Sequence, residues 1–443
     1  MGWIRETLGE ICRKGGGRIQ TGPFGSQLHE FDYRPDGIPV VMPADIVGGT
    51  IAVTRIARVP ESHVERLKRH KLSKGDIVYG RRGDIGRQAL VRGENIGWLC
   101  GTGCLKISLG DGPLTHEFLH RYLSTTAVVG WIEGQAVGAT MPNLNTGILE
   151  RVPVLYPEDS TTQRKISAIL SAYDDLIESN RRRITLLEKM AKEIYREWFV
   201  RMRFPGHKKV RIQKRVPEGW ERNIAFKFFG HVKGKSYAGN ELSDKPEDMP
   251  FITLKSFNRG GGYRANGLKH YSGKYKEEQV VHRGDVVMAV TDMTQNREVV
   301  GRVARIPEIG EKGAVISLDV IKLVPKTISS SFLYSYMLLS GYGEFIKEFA
   351  NGTNVLHLKP ELVTRQKIIM PSKDLRDSFV AIVDPIYGQI DSLNEGILSL
   401  VASRDMLLPR LISGKLPVES LDIQFPPSML NEAGGQGPEA AYA

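Results

Sequence analysis

YDDLIESNRRRITLLEKM, residues 173–190, and YGQIDSLNEGILSLVASR, residues 387–404, begin with the same tyrosine and carry an asparagine at the same place. Tyr387 follows Tyr173, and Asn394 follows Asn180, by 214 positions. The same interval separates Tyr336 from Tyr122, Gly352 from Gly138, Leu358 from Leu144 and Pro371 from Pro157. A fixed period comes before any local reading, because each repeat is one structural plan. Upstream the anchors persist at shifted intervals: Gly2-Trp3 answers Gly219-Trp220 at 217, and KGDIVYG from Lys74 answers RGDVVMA from Arg283 at 209. Such shifts are the insertions and deletions that surface loops tolerate. The order is globular, helix, globular, helix.

The boundaries follow: a first globular domain over 1–157, a long helix over 158–204, a second globular domain over 205–371, a second long helix over 372–416, and a tail over 417–443. The tail ends in NEAGGQGPEAAYA, a composition expected to be disordered. In the first helix Ser160 and Gln163 have the spacing of a capping box. The apolar stripe then runs through Ile166, Ile169, Tyr173, Leu176, Ile177, Ile184, Leu187, Ala191, Ile194 and Trp198 and stops before Phe204-Pro205-Gly206. At 1.5 Å per residue the helix is about 50 to 60 Å long. The second stripe runs from Leu375 through Phe379, Val383, Tyr387, Ile390, Ile397, Val401 and Leu408 to Leu411, and stops near Gly414.

A stripe of this length needs a partner of equal length, and its near-heptad spacing points to the other copy. The alternative is that each helix packs on its own globular unit. The expected architecture is two α/β or α+β globular domains separated by two long helices pairing as an antiparallel coiled coil, a pseudo-twofold repeat. Its seam would comprise Tyr173, Ile177, Asn180, Ile184 and Leu187 against Tyr387, Ile390, Asn394, Ile397 and Val401. Asparagines inside such a seam lower stability but fix register; exposure at its edge is the alternative. In the globular parts, GDIVYGRRG and GDVVMAV are short strands entered through turns, and GAVISLDVIKLVP alternates like one strand. EFLHRYLSTTAVVGWI and SFLYSYMLLSGYGEFI carry the spacing of core-packed helices.

Lys and Arg number 61 against 50 Asp and Glu, a formal charge of +11. That favours an anionic partner. The cations cluster at Arg66, Lys68, Arg69, Lys71 and Lys74, and again at Arg201, Arg203, Lys208, Lys209, Arg211, Lys214 and Arg215. Such blocks face phosphate or solvent. Three cysteines, Cys12, Cys100 and Cys104, are too few for a disulfide framework and fit a reducing cytoplasm. The N-terminus lacks the pattern of a signal peptide, and no window approaches the ~20 apolar residues of a membrane helix.

Catalytic motifs do not assemble. GHVKGKS, Gly230 to Ser236, places three residues before its Gly-Lys pair where a phosphate-cradling Walker loop needs four. Lys233 and Lys235 there read better as a basic loop meeting a phosphate backbone. CGTGC lacks the spacing and His partners of structural zinc, so buried thiols are expected. Asp36 in RPDG finds no carboxylate partner at nuclease spacing, and no adenine-methyltransferase, serine-hydrolase, zinc-protease or dinucleotide fingerprint occurs.

TGPFGSQLHEFDY (Thr21 to Tyr33), KGDIVYGRRGDIGRQALV (Lys74 to Val91), GATMPNLNTGILERVPVLYP (Gly138 to Pro157) and the two repeated helices together resemble the specificity subunit of a type I restriction-modification system. The resemblance covers the chain from Trp3 to about Leu416. It implies that each globular unit is a target recognition domain reading one half of a split double-stranded DNA site. The helices would set the gap and dock two modification (methyltransferase) subunits, with restriction (endonuclease/translocase) subunits added for cleavage. It also implies no catalytic residue and no cofactor in this chain; S-adenosylmethionine, ATP and Mg would serve the partners.

TGPFGSQL has no literal copy in the second half, where KGKSYAGNEL stands instead, which implies an asymmetric target. Glycines allow close backbone approach, and polar side chains donate to phosphates and base edges. The candidate DNA contacts are Gly22, Phe24, Gly25, Ser26, Gln27, Arg81 and Arg82 in the first unit. In the second they are Lys235, Ser236, Asn240, Asn258, Arg259, Gln295, Asn296 and Arg297. Two rival readings stand beside this one. A stand-alone nucleic-acid enzyme with an unrecognised carboxylate or metal site would lose metal-dependent nicking on replacement of Asp36 or Asp84. A coiled-coil assembly protein would bind partners insensitively to salt and nuclease.

Overall fold

The computed structural model of the chain describes residues 2–81, 85–135, 144–213 and 216–430. Arg82, Asp84, the 138–143 stretch with the anchor Gly138, Lys214, Arg215 and the 431–443 segment lie outside the described residues. The chain divides into two units, Met1–Glu178 with Ser399–Ala443, and Ser179–Leu398. Each unit therefore combines one globular part with a stretch of both long helices, a division that cuts across the sequential one.

Unit 1 contains, in order, β1 (Trp3–Thr7), α1 (Leu8–Lys14), β2 (Gly16–Thr21), β3 (Ile38–Val41), β4 (Ala57–Val59), β5 (Ile77–Gly80), β6 (Gln88–Leu90), β7 (Leu99–Cys100), β8 (Cys104–Gly110), α2 (His116–Leu123), α3 (Thr126–Gln135), β9 (Pro153–Pro157) and the first part of α4 (Ser160–Tyr195). Thr7 and Glu10 close a reciprocal capping box that starts α1, whose Leu8 and Ile11 are fully buried. Strands β2-β8-β5-β6 form an antiparallel sheet. Beside it, β4-β3-β7 form a second, in which β3 and β7 run parallel with Val40 opposite Leu99. Strand β1 leaves the sheets to pair with β9, Trp3 opposite Pro157, so the start of the chain lies beside the strand that leads into α4.

Unit 2 repeats the plan with β10 (Glu221–Ile224), β11 (Phe229–Lys233), β12 (Met249–Ile252), β13 (Val286–Ala289), β14 (Val303–Arg305), β15 (Ala314–Ile316), β16 (Val320–Pro325), α5 (Ser330–Leu339), α6 (Tyr342–Lys347), β17 (Lys367–Met370) and α7 (Lys373–Ile412). Its sheet order β11-β16-β13-β14 matches β2-β8-β5-β6. The parallel pair β12 and β15 matches β3 and β7, and β10 with β17 matches β1 with β9. Single hydrogen bonds recur as well. Gly22 N–H donates to Cys104 O at 2.9 Å, and Gly234 N–H to Val320 O at 3.2 Å. Leu144 N–H donates to Arg81 O at 3.0 Å, and Leu358 N–H to Val290 O at 2.8 Å. The repeat is therefore one of backbone geometry, with helices beside mixed sheets in an α+β arrangement.

Within each unit the helix segments run antiparallel. In unit 1, Arg404 reaches Asp174 at 2.7 Å and Lys165 Nζ donates to Glu419 O at 2.7 Å; Ile166, Leu170 and Leu411 share one core with Leu8, Phe118 and Tyr156. In unit 2, Asn180 lies beside Gly396, where a Cβ would stand 3.7 Å from Asn180 Nδ2, and Tyr195 meets Phe379 at 5.7 Å. Phe379 is fully buried, with Trp198, Phe199 and Phe332 edge-on at 6.0, 5.2 and 5.9 Å. Such edge-on pairs add ~0.5–1.5 kcal/mol each beyond burial.

Several expectations change in detail. The cap of α4 is Asp159, not Ser160: its carboxylate accepts the N–H groups of Thr161 and Thr162 at 3.1 and 2.9 Å. Gln163 is buried and binds instead to Thr115 N–H and to the carbonyls of Pro113 and Pro157. Asn180 and Asn394 are half-buried, at the margin of the seam, as are Tyr173, Ile184, Leu187, Ile397 and Val401; Ile177, Tyr387 and Ile390 are buried. Packing is shared, because Tyr387 donates or accepts a 2.9 Å bond with Ser335 and meets the Tyr334 ring at 5.8 Å, both on α5 of its own unit. Each pre-helix run is two helices. Ser124 and Thr125 hydroxyls bond back to Arg121 and Tyr122 carbonyls and end α2, and Gly341 at φ +82° separates α5 from α6. GAVISLDVIKLVP is likewise two strands. Ser317 N–H donates to Ile252 O and Leu318 N–H to Lys235 O, which turns the chain between β15 and β16.

Candidate nucleic-acid interface

The first candidate loop leaves β2 at Gly22. A Cβ there would stand 2.0 Å from Gly101 O, so only glycine fits. Gly22 is buried, whereas Phe24, Gly25 and Ser26 are exposed. The turn is closed from within: Gln27 Oε1 accepts Phe24 N–H at 3.1 Å, and Gln27 N–H donates to Phe24 O at 2.8 Å. Arg66, from the basic run, donates to Gln27 O at 2.8 Å and ties the helix Glu61–Arg66 to the loop. Gln27 therefore shapes the turn while Phe24 and Ser26 face outward. Arg81 is half-buried at the end of β5, its Nε donating to Leu144 O at 3.0 Å. Arg82 lies outside the described residues.

The second set gathers three stretches of unit 2. Lys235 and Ser236 follow Gly234, where a Cβ would stand 2.0 Å from Ser317 O. Lys235 N–H donates to Ile316 O and its carbonyl accepts Leu318 N–H, both at 2.8 Å. Gln295, Asn296 and Arg297 lie on the turn after the short strand Thr291–Asp292, which pairs with Leu356–His357. Gln295 Nε2 donates to Thr353 O at 2.7 Å, and Arg297, at φ +52°, forms an ion pair with Glu348. These bonds bring the 295–297 turn and the 348–353 segment together. Asn240, Asn258 and Arg259 are exposed on other turns, Arg259 paired with Glu298 at 3.1 Å.

Asp292 organises this loop and was not among the sequence candidates. Its buried carboxylate accepts N–H groups from Thr294, Val299 and Val300 at 2.9, 2.6 and 3.0 Å. Burial pushes its pKa up, but these amides outweigh burial and hold it below the ordinary carboxylate value. The T-D-M-T spacing of an Asx turn was its only local signal. Leu318, 45% exposed beside Lys235, was hidden by reading one continuous strand.

Lys233, the three thiols and the second basic run settle locally. Lys233 pairs with Glu361 at 2.5 Å, and GHVK is strand β11 rather than part of a phosphate loop. All three thiols are buried, and burial pushes Cys12 and Cys100 up to about 12. Arg201 pairs with Glu193 and Glu197, and Arg203 with Glu197, so part of the second basic run neutralises its own helix. Among the described residues no group of three or more His, Cys, Asp or Glu could hold a metal ion, and no helix is long and apolar enough to cross a membrane.

Two sheets of one order, each followed by a polar, glycine-bearing loop at the equivalent edge, make a duplicated fold. Residues 3–189 match the model of the family described as type I restriction modification DNA specificity domain. Over those residues the chain carries such a domain, and the curated proteins similar along most of its length are named type I restriction enzyme specificity subunits. It is 26% identical over 404 residues to the MjaIX specificity subunit of Methanocaldococcus jannaschii, covering 88% of this chain and 89% of that one. With the HindI specificity subunit of Haemophilus influenzae it shares 20% over 480 residues, 94% and 99% of the two chains. The crystal structure of the type I restriction-modification S subunit from M. genitalium aligns at a TM-score of 0.56, with 18% identity over 93% of this chain and 96% of that one, and shares its fold.

Proposed function

We propose that the chain reads an asymmetric, bipartite double-stranded DNA site, one half-site per globular unit, through the loops that follow β2 and β5 in unit 1 and their counterparts in unit 2. The observation that carries this is repetition with divergence. The two sheets share strand order and the hydrogen bonds of Gly22 and Gly234, yet TGPFGSQL faces one edge and KGKSYAGNEL the other. Equal scaffolds with unequal loops suit two readers of unlike sequence. The charge of +11 supplies the phosphate attraction such a reader needs.

On this reading the long helices set the gap and dock two modification subunits, to which restriction subunits add. S-adenosylmethionine, ATP and Mg act in those partners, and the assembly works in the cytoplasm. The test is a footprint of the chain in complex with its methyltransferase. Two protected segments of unlike sequence at a fixed interval are expected, with affinity falling steeply as salt rises. A complex that protects no sequence-specific segment contradicts the reading.

A further inference from the structure

Unit 2 holds a cleft of about 290 Å³ beside Lys235, lined on its apolar side by Val290, Leu318, Ile321, Leu358 and Pro360. Lys233 and Lys359 stand on its rim, the former neutralised by Glu361. Leu318 forms one wall and is 45% exposed although its backbone is fixed: its N–H donates to Lys235 O, and Lys235 N–H donates to Ile316 O, both at 2.8 Å. A cation and an exposed aliphatic side chain are thus held in rigid register. Thr291, which also lines the cleft, begins the short strand before the turn that carries Gln295, Asn296 and Arg297.

The equivalent position in unit 1 is built differently. Val290 O accepts Leu358 N–H as Arg81 O accepts Leu144 N–H, so Val290 and Arg81 correspond. Where unit 2 has a short valine, Arg81 extends its guanidinium to Leu144 O at 3.0 Å. Thr102 corresponds to Leu318, because Arg81 N–H donates to Gly103 O as Val290 N–H donates to Asp319 O. The aliphatic lining of Val290 and Leu318 is therefore a property of the second reader.

We propose that this cleft receives the 5-methyl group of a thymine in the second half-site, with Leu318 as the contacting wall and Lys235 on the flanking phosphate. An aliphatic surface favours thymine because it alone of the four bases carries a methyl group on the major-groove edge. Lys359 at the cleft and Lys235 beside it favour DNA as the occupant over a neutral protein surface. The inference rests on the DNA-reading function proposed above and adds the base chemistry that one part of the surface recognises.

The test uses the full chain in complex with its methyltransferase. Each thymine of the second half-site is replaced singly by uracil, which lacks only the methyl group, and methylation rates are compared. At one position uracil lowers the rate of the wild-type complex about fourfold, the value expected for one buried methyl. Leu318→Ala lowers the rate on the thymine duplex by a similar factor and no longer distinguishes uracil; Leu318→Met keeps the discrimination. Equal rates for thymine and uracil at every position, or full discrimination by Leu318→Ala, overturn the proposal. If Leu318→Ala instead loses co-purification with the methyltransferase, the cleft holds protein and the proposal also falls. Failure of the underlying reading looks different: the wild-type complex then methylates no duplex in a sequence-specific way.

Discussion

Asp391, 3% exposed on α7, receives both terminal guanidinium nitrogens of Arg305 at 2.7 and 2.8 Å. Arg283 Nε adds a third bond at 3.0 Å, and the Arg305 guanidinium lies 5.3 Å from the Tyr387 ring centre. Arg305 belongs to β14 and Arg283 precedes β13, so one carboxylate fastens the sheet of unit 2 to its helix. Asp391→Ala leaves the Arg305 guanidinium without its carboxylate, while Arg283 keeps Glu395 at 2.8 Å, and should cost about 3 kcal/mol, as broken buried ion pairs do. Urea denaturation measures it; a loss under 1 kcal/mol would show the clasp to be dispensable.

The two long helices end alike but with unequal residues. Gly414 adopts φ +72° after α7, and Met202 adopts φ +56° after α4. Glycine takes this conformation without strain, whereas a side chain there costs roughly 1 kcal/mol. Met202→Gly should therefore stabilise the chain by about that amount. Gly414→Ala should destabilise it by more, because its Cβ would also stand 2.6 Å from the Trp3 ring. Thermal unfolding of both variants separates the effects by sign.

His120, 7% exposed in unit 1, is pushed down to about 3, first by burial and then by Arg121 and Arg92. The folded chain keeps it neutral, while the unfolded chain takes a proton near the ordinary value of 6.5. Its contribution to stability is complete above pH 6.5 and is lost as pH falls from there toward about 3. Between pH 6.5 and 5 the loss is about 2 kcal/mol. Denaturation midpoints at these pH values check the slope, and His120→Leu should reduce it.

Lys235→Ala should weaken binding about equally on all sequences and lower the slope of log affinity against log salt by roughly one, the signature of a lost phosphate contact. Arg297→Ala acts by another route. It removes the tie to Glu348 and loosens the 292–300 loop, so it should reduce discrimination at the second half-site more than the salt slope.

Much of this was legible in the sequence because the repeat is strict where it is structural. Tyr173 with Tyr387 and Leu144 with Leu358 gave the interval, and both long helices lie where the stripes put them. Strand pairing was not legible: β1 meets β9 about 150 residues on, and short alternating runs do not name their partners. The Asp391 clasp was hidden for the same reason, its arginines lying 86 and 108 positions away. Local competition misled elsewhere. Asp159 outbid Ser160 for the amides at the start of α4, and the turn at Leu318 interrupted an alternation that read as one strand. Among candidate contacts, Gln27 binds its own loop and Gln295 and Arg297 bind the 348–353 segment, which sequence cannot separate from outward-facing Ser26 and Asn296.

If the helices measure the gap, four residues inserted into both, beside Asn180 and Gly396, lengthen the spacer by ~6 Å. That is about two base pairs of duplex. The half-sites should stay the same while the preferred gap grows. An unchanged gap would mean that the helices dock partners without measuring.

The most direct measurement is to sequence methylated adenines in cells carrying the chain with its methyltransferase partner, and in matched cells lacking the chain. The account predicts one asymmetric motif of two short half-sites at a constant gap, present only with the chain. Methylation that persists without it, or a single uninterrupted motif, would contradict a chain built from two unlike readers.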